Sequence, residues 1–170
     1  PELRHKATPQ ILKELGISLP KLPFLVKAAK QELNSKIEFL HPVASIKAAL
    51  ASLKKSQLKL GILTSNSEEN VKHFLRSNDL DFFDFIYSGS SIFGKAKVIK
   101  SAIRANSLLP EEVIYVGDET RDIEAAKKAH IRIVAVGWGF NSGKALQNQN
   151  PDFFARNPQE LVRVIKSVQG

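Results

Sequence analysis

The chain contains no cysteine, which excludes both a disulfide framework and a thiolate metal site. It has no apolar run long enough to cross a bilayer and no signal-peptide pattern at its start, so a cytoplasmic protein is expected. Its four histidines, His5, His41, His73 and His130, are dispersed without metal-ligand spacing. Internal repeats and low-complexity segments are absent too. Positive charge, by contrast, is plentiful: 25 Lys and Arg against 17 Asp and Glu give a formal net charge of +8. That balance invites a nucleic-acid reading. However, Lys27, Lys30, Lys54, Lys55, Lys97, Lys100, Lys127 and Lys128 are spread over several predicted helices, and aromatic residues do not interleave with them as a stacking platform requires. A solvated helical surface accounts for the charge, with some attraction for anionic substrates. Neither a membrane nor a nucleic-acid partner is expected.

A chain of 170 residues can bury one core, and 43% apolar with 25% charged residues is the composition of an ordinary globular domain. The opening Pro1-Glu2-Leu3-Arg4 resembles neither a translation start nor a processed signal, so a fragment is expected.

The first 55 or so residues read as helical. Residues 10–16 close on a glycine suited to a helix C-cap, Pro20 and Pro23 punctuate the next stretch, and 24–36 runs without a breaker. After His41-Pro42, residues 43–55 place Val43, Ile46, Ala49, Leu50 and Leu53 on one helical face. The pattern then changes. Short apolar strands at 58–64, 85–88, 113–116 and 131–136 alternate with helices at 67–78, 95–106 and 120–129, and a weak strand at 152–155 and a helix at 160–168 finish the chain. Apolar strands alternating with helices predict a parallel sheet covered on both faces.

Ligands of such sheets bind beyond the carboxyl ends of the strands. There the sequence places Thr64-Ser65-Asn66, then Lys95 at a helix start, then Gly117-Asp118-Glu119-Thr120-Arg121-Asp122. Hydroxyls, a lysine and carboxylates suit a phosphate group and a magnesium ion. Ordinary readings stand beside this one. Asn66 with Glu69 resembles a capping box, and Asp118 and Asp122 could merely complement a helix N-terminus. Lys95 is harder to dismiss, because Val98, Ile99 and Ala102 continue its own face inward while Lys97, Lys100 and Arg104 occupy the solvated one. Glu119 adds a third carboxylate within five residues, a repulsion that Arg121 lessens without removing. Gly137-Trp138-Gly139 is not a dinucleotide loop, because Gly143 falls one residue late and the motif follows a late strand.

In this order the pieces resemble the haloacid dehalogenase-like hydrolase superfamily, near its phosphoglycolate phosphatase-like branch. LGILTSN at 60–66 resembles the second motif, DFFDFIYSGSSIFGK at 81–95 the approach to the third, and VIYVGDETRDIEAAKKA at 113–129 the fourth, GDxxxD. AVGWGFNS at 135–142 is also similar to the family. The resemblance implies an α/β fold, a Rossmannoid three-layer parallel sheet, with residues 1–42 the remainder of a small helical cap and 43–170 the core. It implies phosphate binding by Thr64, Ser65, Asn66 and Lys95, a catalytic set of Thr64, Lys95 and Asp122, and magnesium on Asp118 and Asp122. It implies hydrolysis of a small phosphorylated metabolite through an aspartyl-phosphate, by a monomer or weak homodimer. The family's first motif, a central strand ending in DxDxT or DxDxV, has no counterpart here: Asp79-Leu80-Asp81 lies in a predicted loop. Without that strand the chain is expected to be marginally stable and inactive as given. The alternative is a catalytically inactive module that binds phosphate and metal. A phospho-accepting receiver domain does not fit, because the strands at 58–64 and 85–88 lead to hydroxyls and glycine rather than acids.

Overall fold

The computed structural model describes residues 36–89 and 94–169, with isolated positions at 13, 16–18, 20, 24–25, 28 and 32. Most of the helices expected at 10–16 and 24–36, and most of the expected cap at 1–42, lie outside the described residues. Gly16 itself has φ 64 and donates its N–H to the Lys13 carbonyl at 3.2 Å, as a helix-ending glycine does.

The described elements are α1 (Ile46–Lys55), β1 (Gly61–Thr64), α2 (Glu68–Ser77), β2 (Phe85–Ser88), α3 (Lys95–Ala105), β3 (Ile114–Gly117), α4 (Thr120–Ala129), β4 (Arg132–Val136), α5 (Gly143–Gln147), β5 (Phe153–Ala155) and α6 (Pro158–Gln169). The layering follows from the period of a strand. Successive side chains of β4 point to opposite faces, and both faces are apolar. Ile133 and Ala135 pack with Ile99 and Ile103 of α3, Ile123 of α4 and Leu146 of α5. Val134 and Val136 pack with Leu53 of α1 and Leu161 and Ile165 of α6. The sheet therefore lies between two helical layers, the three-layer α/β arrangement expected from the sequence.

Beyond shifts of one or two residues at other ends, three departures from expectation have a visible local cause. Helix α1 begins at Ile46 rather than Val43, because Ser45 adopts a left-handed φ of 67 at the N-cap. Strand β1 begins at Gly61 rather than Leu58: the Leu60 N–H is taken by the Asp84 carboxylate at 2.7 Å. Helix α5 was not expected at all; Ser142 starts it by accepting the Ala145 N–H at 3.3 Å. No helix among the described residues is long and apolar enough to cross a membrane.

All strand pairings are parallel, but they form two sheets, β1-β2 and β3-β4-β5. Among the described residues no ladder joins β1 to β3, so each keeps an unpaired edge. The consequence is visible at Val116, which is 39% exposed in the middle of an otherwise apolar strand. An apolar groove of about 340 Å³ lies beside β1, lined by Ile62, Val43, Ile46, Phe74, Leu80 and Trp138. At the amino ends of the strands, Asp79 faces Lys47 at 3.4 Å and Asp84 pairs with Lys54. The Asp79-Leu80-Asp81 sequence thus sits at the edge opposite the candidate site. In a parallel ladder, alternate N–H groups of a strand point to each neighbour. Amide hydrogen exchange should therefore alternate between fast and slow along β3 while staying uniformly slow along β4; equal protection of both strands would contradict the split sheet.

Candidate active site

The turn from β3 into α4 is shaped by one side chain. Asp122, at the third position of α4, is only 2% exposed. Its Oδ2 accepts the N–H of Asp118 at 3.1 Å and that of Glu119 at 3.0 Å. Glu119, the N-cap, reciprocates by accepting the Asp122 N–H, so the helix opens on a complete capping box. Gly117 is required by the same approach. A Cβ there would meet the Asp122 Cβ at 2.5 Å and its Oδ2 at 2.6 Å.

The other oxygen of Asp122 faces outward along the strand ends. Oδ1 pairs with the Lys95 ammonium from the first turn of α3 and accepts the Tyr115 O–H at 3.4 Å. Burial, followed by the negative charge of Asp122, pushes the Tyr115 phenol above its ordinary range, so it stays protonated and remains a donor. Lys95 lies on the inward side of its helix, with Ile99, Ala102 and Ile103 buried beneath it and Lys97, Lys100 and Arg104 exposed.

Charge is then distributed unevenly among the three neighbouring carboxylates. Asp122 has Lys95. Glu119 has Arg121, whose Nη2 lies 2.8 Å from Glu119 Oε1 and whose own protonation that hydrogen bond favours. Asp118, half-buried between them, makes no ion pair among the described residues. Its Oδ2 instead accepts the Phe140 N–H at 2.6 Å. Carboxylate oxygens of Asp118, Glu119 and Asp122 all lie within 4.8 Å of one another.

The second expected group sits at the carboxyl end of β1. Thr64 Oγ1 accepts the Asn66 N–H at 3.0 Å, and the Ser88 hydroxyl donates to the Asn66 carbonyl at 2.6 Å. Asn66 does not cap α2; that position belongs to Ser67, whose Oγ accepts the Asn70 N–H at 3.3 Å. The Asn66 amide oxygen instead takes the Ser67 N–H and the Asn70 side chain, tightening the turn that presents Thr64 and exposed Ser65. Direct contacts bring Lys95, Asp118 and Asp122 together. Thr64, Ser65 and Asn66 share their strand-end edge through β2, where the Gly89 N–H donates to the Thr64 carbonyl at 2.8 Å.

Sequence reasoning did not find Tyr115 or Asn141. Asn141 is fully buried, accepts the Thr120 N–H at 3.0 Å, and donates its own backbone N–H to the Asp118 carbonyl at 3.0 Å. The signal available was the Gly-Trp-Gly-Phe-Asn run after a strand, which has no meaning until the turn it closes on is known.

Comparison with known proteins identifies the family. Residues 2–136 match the model of the haloacid dehalogenase-like hydrolase family. The chain is 32% identical over 165 residues to a phosphoglycolate phosphatase of Synechococcus elongatus, covering 96% of this chain and 78% of that protein. It is 25% identical over 137 residues to the pyrophosphatase PpaX of Bacillus mycoides, covering 78% of this chain and 64% of that protein. A haloacid dehalogenase-like family hydrolase from Streptococcus pneumoniae superposes with a TM-score of 0.75 at 28% identity, over 87% of this chain and 71% of that one. With the family match spanning residues 2–136 and a relative 32% identical across 96% of the chain, this protein belongs to the haloacid dehalogenase-like hydrolase family.

Proposed function

We propose that the strand-end residues form the phosphate-binding and cation-binding half of a magnesium-dependent phosphomonoester hydrolase. One observation carries this reading. Of the three clustered carboxylates, two have a cation supplied by the chain, and Asp118 has none among the described residues. Repulsion among close carboxylates is relieved by a bound cation, and hard oxygen donors suit magnesium. The residues present therefore fit the ion, with Asp118 as its direct ligand. The resemblance gives Asp122 the same role; here both of its oxygens already have partners within the chain. The proposal accordingly gives it the task of placing Lys95 and Asp118.

Magnesium, when bound, supplies charge stabilisation for the phosphoryl oxygens. The remaining work falls to the chain. An ammonium has three donors, so Lys95 keeps Asp122 as one partner and offers the others to phosphate. The Thr64 hydroxyl and the backbone of the 64–66 turn hold a second phosphoryl oxygen. These fixed donors act where charge is greatest during transfer, which in such sites is often the largest contribution. The names of the relatives make phosphoglycolate and pyrophosphate the first substrates to test.

Asp118→Asn should weaken magnesium binding on the order of 100-fold in calorimetry, the upper end of what disturbing a metal site costs. An unchanged affinity would remove Asp118 from the cation. Lys95→Ala should weaken binding of inorganic phosphate about tenfold, roughly 1.4 kcal/mol, and Lys97→Ala should leave it unchanged. Equal losses in the two variants would contradict the assignment of Lys95 to the anion.

A further inference from the structure

We infer that the backbone of residues 139–141 is the positioning element of the Asp118 carboxylate, fixing Oδ2 so that Oδ1 is the oxygen available to a cation. The inference rests on the cation reading above and adds to it a segment that acts on Asp118 through its backbone N–H groups.

The segment between β4 and α5 is tethered at both ends. At its start the Gly137 N–H donates to the Ala155 carbonyl at 2.9 Å, and at its end Ser142 caps α5. Between these points it crosses Asp118 at close range. The Phe140 N–H donates to Asp118 Oδ2 at 2.6 Å, and the Asn141 N–H to the Asp118 carbonyl at 3.0 Å. The Asn141 side chain, with no exposed surface, accepts the Thr120 N–H at 3.0 Å and so ties the segment to the first turn of α4. Side chain, carbonyl and helix start are thereby held by consecutive residues of one strap.

Gly139 shows how close the approach is. A Cβ at that position would overlap the Asp118 carboxylate and the Asp118 Cβ. The flanking glycines differ. A Cβ at Gly137 or Gly143 would meet the end of the Phe154 ring, at 2.9 Å and 3.0 Å, well away from the acids. Of these three glycines, only Gly139 makes room for a carboxylate, as Gly117 does for Asp122 on the other side of the turn. A carboxylate with one oxygen held by a fixed N–H loses rotamer freedom before a ligand arrives, so a cation meets a preorganised oxygen.

The test uses the 170-residue chain and two readouts. Three-bond couplings to the Asp118 Cβ protons report its χ1 angle in the absence of any cation, and calorimetry reports magnesium affinity. Gly139→Ala should move Asp118 out of its single rotamer and weaken magnesium binding about tenfold, as loss of an outer-shell partner does. Gly143→Ala should change neither, and phosphate binding should persist in both variants, which separates a displaced carboxylate from a collapsed site. Should Gly139→Ala fail to fold, an ester in place of the Phe140 amide removes the N–H without adding an atom and must act in the same direction. An unchanged χ1, or a changed χ1 with wild-type magnesium affinity, would overturn the inference. If the unsubstituted chain bound no magnesium, the cation reading itself would fail and the strap would have no ligand to serve; the χ1 result would still show whether it holds Asp118.

Discussion

A carboxylate removed from water must be given back the hydrogen bonds and the counter-charge it loses, and Asp122 is such a group. Its four partners come from three places: the backbone of the 118–119 turn, Tyr115 on β3 and Lys95 on α3. Satisfying this one side chain fixes the path of the β3–α4 turn, the start of α4, and the position of a lysine 27 residues away in sequence. The candidate site is in this sense a by-product of neutralising a buried acid. Lys95 points at the strand ends because Asp122 holds it there, and Asp118 stands forward because its N–H is drawn back.

Much of this could be read in the sequence, because the informative residues follow short apolar strands. In a parallel sheet every such strand delivers its next few residues to the same edge, so Thr64, Lys95 and Asp118 could be assigned to one region without coordinates. The inward placement of Lys95 followed from helical period alone, with Ile99 and Ala102 buried as expected. What could not be read depends on contacts between distant segments. Asn66 and Ser67 are both good capping residues, and the choice of Ser67 is made by the geometry of the β1 turn. The separation of roles proposed for Asp118 and Asp122 depends on which lone pairs the fold has already used. The strap at 139–141 is invisible in sequence for the same reason, since its chemistry lies in backbone N–H groups that every residue but proline carries.

The split between β1-β2 and β3-β4-β5 bears on function as well as on stability. Thr64 ends one sheet and Asp118 follows the end of a strand in the other, so the two sides of the proposed site are joined through helices. On one face is α3 with its Lys95–Asp122 pair, and on the other is α1, packed against β4 and α6. Leu63 of β1 and Tyr115 of β3 both pack against the helical layer that contains α3 and α4, which keeps the two strand ends near one another without a ladder between them. Unpaired strand edges of this kind are a liability in water and a natural place for an extended segment to add. Lys95, paired with Asp122 across from α3 to α4, is therefore a structural tie as well as the lysine of the proposed phosphate site.

The claim that Asp122 and Lys95 act as one unit is tested most directly by a double-mutant cycle. Asp122→Asn, Lys95→Met and the double variant would be compared by denaturant unfolding, and phosphate affinity would be followed alongside. The account predicts a coupling free energy of about 1 to 3 kcal/mol, with each single substitution lowering phosphate affinity. Additive effects on stability, with phosphate affinity untouched by Asp122→Asn, would contradict it.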